Sequence, residues 1–169
     1  SSDGTPGSDT YQNAANAAFA VADQEFGGCL ELQKTSSTTR LRYMGQTPLL
    51  PGCYLRVSAR IKAISGNLPA VRIAGYAARG NGSEVTGVNT IGGSTTLTAY
   101  VDAVEVSAIV GACNRGGVDM VWGPDAVYGN FGLDLTGANG GIVRIDDIGI
   151  EDIISVFLGD VLSTVDVRD

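Results

Sequence analysis

From Phe26 onward, short runs of alternating apolar and polar residues are separated by clusters of turn residues. Over Tyr54–Ile61, Leu55, Val57, Ala59 and Ile61 share one side, and Tyr54, Arg56, Ser58 and Arg60 share the other. That is the two-residue period of a strand with one buried face. Val104, Val106, Ala108 and Val110 repeat the pattern, and Ile142, Arg144, Asp146 and Ile148 alternate with Val143, Ile145 and Asp147 in the same way. Further runs at 29–33, 39–44, 70–77, 85–88, 95–100, 118–122 and 130–135 bring the expected strands to about ten. Pro51-Gly52, Gly66-Asn67, Gly80-Asn81-Gly82, Gly92-Gly93 and Gly116-Gly117 supply the turns between them. Gly137-Ala138-Asn139-Gly140-Gly141 lacks the Lys-Ser/Thr and the following helix of a phosphate loop, and reads as a hairpin turn. This spacing predicts an all-β fold, an antiparallel β-sandwich of the jelly-roll kind.

The two ends depart from the alternating pattern. Residues 1–26 read as an N-terminal arm or linker: Ser1–Thr10 is polar with Gly and Pro, and Ala-rich Tyr11–Phe26 predicts a short helix anchored by Phe19 and Phe26. The sandwich itself is assigned to 27–152. In 153–169, Ile154, Phe157, Leu158, Val161, Leu162 and Val165 follow helical spacing, so a short C-terminal amphipathic helix is expected. It either caps the sandwich or meets copies of itself through Ile154, Phe157, Leu158, Val161 and Val165, since a helix this short does not stand alone. The closing Val165-Asp166-Val167-Arg168-Asp169 reads as a lead-in to a further region.

Composition narrows the chemistry. With 169 residues the chain fits one domain, and its 24 glycines fit many tight turns. A formal charge of −7 argues against nucleic acid as a partner. There is no His, which excludes serine-type triads, Cys–His dyads and imidazole acid–base catalysis within the chain. Cys29, Cys53 and Cys113 lack a CxxC spacing, and read as buried thiols, with room for one bridge among them. No run approaches the roughly 20 apolar residues of a membrane helix, so no membrane insertion is expected.

Two stretches carry a family likeness. Phe131–Asp152, with its hydrophobic–Asp–Asp–hydrophobic motif at Ile145–Ile148, resembles the closing strands of galactose-binding-like carbohydrate-binding modules. Val165–Asp169 resembles the lead-in to the parallel β-helix of pectate-lyase-like proteins and phage tailspikes. Together with Gly116–Gly123, the chain is similar to N-terminal modules of spike or fibre proteins of phages and gene transfer agents. That resemblance implies a virion structural protein, the module of a head spike, decoration or tail fibre. It would attach to other virion proteins, form a homotrimer and present a region recognising a host cell-surface polysaccharide. Its location would be the virion, assembled in the bacterial cytoplasm. The alternative is a carbohydrate-binding module of a secreted polysaccharide-degrading enzyme.

Sugar binding requires a flat aromatic for the apolar face of a pyranose and planar polar groups that fork to vicinal hydroxyls. Trp122, with Tyr128, Asp119, Asp125 and Arg115 nearby in sequence, is the first candidate platform, set against a core role for the single Trp. Asp146 and Asp147 within one strand would point to opposite faces and do not form a catalytic pair. The resemblance implies that one of them joins a structural calcium site; no other cofactor is expected. Arg40, Arg42, Arg56, Arg60 and Arg72 alternate on outward strand faces, mostly solvated, with a minority available to an acidic partner. No enzyme activity is expected.

Overall fold

A computed structural model describes residues 11–12, 18–35, 37–43, 45–83, 85, 91–113, 116–146 and 148–153. Among the described residues thirteen strands run in chain order as β1 (Tyr11–Gln12), β2 (Ala18–Asp23), β3 (Gly27–Gln33), β4 (Thr38–Tyr43), β5 (Thr47–Pro48), β6 (Tyr54–Ser65) and β7 (Ala70–Ala78). They continue as β8 (Thr95–Thr96), β9 (Val104–Gly111), β10 (Met120–Val121), β11 (Tyr128–Thr136), β12 (Ile142–Ile145) and β13 (Gly149–Asp152). The first sheet has the order β1-β4-β11-β7-β8, with β5 also on β11. The second has the order β10-β9-β6-β12-β3-β2, with β13 also on β6. Pairing is antiparallel except for β10 on β9 and an isolated Ala63–Tyr100 bridge.

The alternation builds the core. Leu41, Val71, Ile73, Phe131, Leu133 and Leu135 of the first sheet meet Leu32, Val57, Ile61, Val143 and Ile145 of the second, all buried. Leu55, Val57, Ala59 and Ile61 face inward as their period requires. Tyr54 is the exception on its outward side. It is buried, with its hydroxyl 2.8 Å from Cys113 Sγ. The expected two-sheet all-β sandwich is the observed one.

Three local expectations are corrected. Where 11–26 is described it is strand and turn, not helix: β1 pairs β4, β2 pairs β3 over Ala18–Asp23 against Gly27–Leu32, and 24–26 turn between them. The Ala-rich composition favours a helix only in isolation, and cross-strand pairing outweighs that local preference. Asp146 does not sit inside a strand, because β12 ends at Ile145, and Asp147 lies outside the described residues. Both β12 and β13 lie along β6, β12 on Ile61–Ser65 and β13 on Leu55–Ser58, and Asp146 falls just past the end of the β12 ladder. Gly137–Gly141 is not a hairpin turn but carries the chain from β11 in one sheet to β12 in the other. Positive φ at Gly137 and Gly140 makes the crossing, and Lys34 locks it through backbone bonds to Gly140 and Gly141. The expected C-terminal helix, with Ile154, Phe157, Leu158, Val161 and Val165, lies outside the described residues.

All three cysteines are free. Cys29 and Cys53 are buried, and burial raises both thiols above their ordinary values. Cys113, expected to be buried, is exposed.

Candidate functional site

Because Leu41, Leu133, Val71 and Ile73 point inward, the residues alternating with them point away from the core. Ladder register sets these outward residues in rows across β4, β11 and β7. Arg40, Asp134 and Arg72 form one row, Arg42, Gly132 and Ala74 the next, and Asn130 and Tyr76 the third. Tyr128 and Ala78 follow at one end, and Thr38, Thr136 and Ala70 at the other.

Three guanidiniums converge on one carboxylate. Arg42 Nη2 donates to Asp134 Oδ1 at 3.0 Å, and Arg72 Nε and Nη2 donate to Oδ2 at 3.3 and 3.2 Å. Arg40 Nε lies 4.0 Å from Oδ1. Arg42 Nη1 also donates to the carbonyls of Leu41 and Leu133, both at 3.1 Å. The Arg42 and Asp134 side chains are only 2% and 1% exposed, so they form a floor. Arg40 at 47% and Arg72 at 25% form an accessible rim. Burial pulls the Arg42 guanidinium below its ordinary value, and the Asp134 charge opposes that pull. Gly132 is required beside Arg42, since a Cβ there would run into the Leu41 carbonyl oxygen.

In the third row, Asn130 Nδ2 donates to the Tyr76 hydroxyl at 2.9 Å and holds that half-buried ring in place. Asn130 Oδ1 is buried and has no hydrogen-bond partner among the described residues. An unmet buried acceptor costs about 1–3 kcal/mol, so a donor brought to it is rewarded.

The outer face of the second sheet differs in charge. Lys62 Nζ and Arg144 Nη1 lie 2.6 and 2.9 Å from Asp23, Arg144 Nε 3.1 Å from Glu31, and Arg60 2.8 Å from Glu25. Arg56 pairs with Glu105 at 3.2 Å, and Lys62 and Arg60 lie over the Phe26 ring at 4.4 and 5.1 Å. Asp23 also accepts from the backbone of Glu25 and Phe26 and thereby fixes the β2–β3 turn. Bonds from Lys62, Phe26 and Arg144 hold its carboxyl well below the usual range. Each base here lies against at least one acid, as a structural network needs.

The residues grouped by sequence around Trp122 do not converge. Trp122 is 5% exposed and belongs to the core, with its backbone N–H on Gly111. It is therefore no exposed stacking platform. It lines a largely apolar cavity of about 790 Å³ with Leu49, Pro51, Val85 and Pro124. Asp119 brackets Ile109, its carboxylate accepting from the Ile109 N–H at 2.8 Å, and so fastens the β9–β10 connection. Asp125 lies 3.9 Å from Arg79 in an exposed pair. Tyr128 stands on the outer face of the first sheet instead, at the end of the row series that includes Tyr76. Arg115 lies outside the described residues. Asp146 Oδ2 is 3.6 Å from Arg60, while Asp147 lies outside the described residues. Among the described residues, no group of three or more acidic or Cys side chains is placed to hold a metal ion.

No family model matches the chain, and no curated protein matches it. Solved structures do. One is the CBM22-1 xylan-binding domain of Paenibacillus barcinonensis Xyn10C, with TM-score 0.61 and 12% identity over 89% of this chain and 90% of that one. The two-sheet sandwich resembles that of carbohydrate-binding modules. An exo-beta-agarase matches with TM-score 0.56 and 14% identity over 89% of this chain and 24% of its own. Bacteriophage CBA120 tailspike protein 4 matches with TM-score 0.53 and 11% identity over 80% of this chain and 18% of its own. At 11–14% identity these likenesses concern the fold.

Proposed function

We propose that the chain is a polysaccharide-binding module whose contact surface is the outer face of the first sheet. The observation that carries this is the Tyr76–Asn130 pair, an oriented aromatic beside an unmet acceptor, set next to the accessible guanidiniums of Arg40 and Arg72. A pyranose ring stacks its apolar face on an aromatic and directs its hydroxyls at in-plane donors and acceptors. Tyr76, held by the buried Asn130, supplies the first, and the rim arginines Arg40 and Arg72 supply the second. The likeness of the fold to a xylan-binding domain supports the reading.

Native gels containing soluble polysaccharides, neutral and acidic, test it. At least one polymer retards the chain, and Tyr76→Ala weakens that retardation about tenfold with circular dichroism unchanged. No retardation by any polymer, or a Tyr76→Ala chain that binds as before, overturns the reading.

The tailspike likeness supports a second placement, in which the same module belongs to a virion spike and its trimer forms through the stretch after Ile153. Light scattering decides the trimer: loss of oligomeric mass on truncation at Asp152 supports it, and unchanged mass refutes it.

A further inference from the structure

Charge sets the outer face of the first sheet apart. Three guanidiniums surround the single carboxylate of Asp134, leaving a cationic surplus in a chain whose formal charge is −7. The second sheet does the reverse. There Arg56, Arg60, Lys62 and Arg144 face Asp23, Glu25, Glu31, Glu105, Asp146 and Glu151. Structural pairing therefore does not explain why three arginines gather on one acid.

The three also differ in what they can still do. Arg42 is used up by Asp134 and two carbonyls beneath the surface. Arg40 and Arg72 stand opposite each other across Asp134, one strand away on either side, so their Cα atoms are about 10 Å apart at ordinary strand spacing. Arg40 makes only the 4.0 Å approach to Asp134 and keeps donors for another acceptor. Guanidinium is planar and forks to a planar carboxylate with two parallel bonds, a geometry that a neutral hydroxyl pair does not repay as well. A few residues along, Tyr76 offers the apolar surface for a sugar ring.

We infer that this face selects glycans bearing ring carboxylates, that is, polysaccharides of hexuronic acid, with Arg40 and Arg72 reading the carboxylate and Tyr76 with Asn130 reading the ring. The inference rests on the glycan-binding reading above and names its substrate class. The cationic face also overcomes the repulsion between an acidic chain and an acidic polymer, so binding weakens as salt rises.

The test compares polygalacturonate with its methyl ester, which keeps the backbone and removes the charge, and adds dextran sulfate as a polyanion of different geometry. Polygalacturonate retards the intact chain at least tenfold more strongly than the ester or dextran sulfate. Arg40→Gln lowers that preference about tenfold, as expected for one charge-assisted contact. Arg40→Lys, which keeps the charge without the fork, restores it in part. Arg56→Gln on the opposite sheet leaves it unchanged, and thermal melts confirm that each variant is folded. Equal retardation by acid and ester overturns the uronate assignment while leaving glycan binding standing. Dextran sulfate matching polygalacturonate overturns it as well, since that is a general polyanion effect. No retardation by any polymer overturns both readings.

Discussion

Asp134→Asn removes the only carboxylate that Arg42 meets among the described residues, while leaving the side-chain shape almost intact. The Arg42–Asp134 pair is sealed from water, with side chains 2% and 1% exposed at 3.0 Å. Removing one member of such a pair strands a buried charge and typically costs about 3–5 kcal/mol. For a chain of this size each kcal/mol moves the melting point by about 2–4 °C, so Asp134→Asn melts roughly 6–20 °C lower. Urea denaturation gives the free energy directly, with the slope showing whether the unfolding stays two-state. The double variant Arg42→Met/Asp134→Leu removes both charges and recovers most of the loss, because an apolar pair of similar volume replaces a desolvated one. A loss below about 1 kcal/mol for Asp134→Asn refutes the reasoning, since it means water reaches the floor of the outer face.

Two further outcomes follow from the other face and from the core. Asp23 has its carboxyl depressed by Lys62, the Phe26 N–H and Arg144, so its contribution is complete above the unfolded carboxylate value near pH 4 and is lost as pH falls below it. Denaturation midpoints of the intact chain therefore fall between pH 4 and pH 2, and Asp23→Asn, weaker at neutral pH, shows a flatter profile; parallel profiles contradict this. Trp122→Ala costs about 3 kcal/mol of stability as a large-to-small core change and leaves glycan retardation intact at temperatures where the variant is folded. A folded Trp122→Ala chain that no longer binds any glycan would return the site to the Trp122 loop.

The strands of the middle of the chain were legible because their alternation is long and flanked by turn residues, as at Tyr54–Ser65 and Val104–Gly111. The strand β2 was not, since Ala18–Asp23 has no periodic contrast and becomes strand only by pairing with β3. The end of β12 at Ile145 was equally hidden, because the apolar–polar alternation of the sequence continues past it and β13 runs beside the same strand β6. For the site, outward alternation marked Arg40, Arg42 and Arg72 and their availability to an acidic partner. Their meeting at Asp134 depends on register between strands some 62 to 92 residues apart, which no local pattern encodes. It also buries Arg42, which alternation alone placed in solvent. The described members of the Trp122 grouping are scattered for the converse reason. Nearness in sequence over Asp119–Tyr128 spans an edge strand, a turn and the start of β11, and these point their side chains to different places.

The most direct measurement is amide chemical-shift mapping of the folded chain during titration with an oligogalacturonate. Shifts concentrated at Arg40, Arg72, Tyr76, Asn130 and Asp134, with the second sheet silent, are the expected result. Shifts confined to Val121–Pro124 and the rim of its cavity, with the β4–β11–β7 rows unmoved, would contradict the assignment of that face.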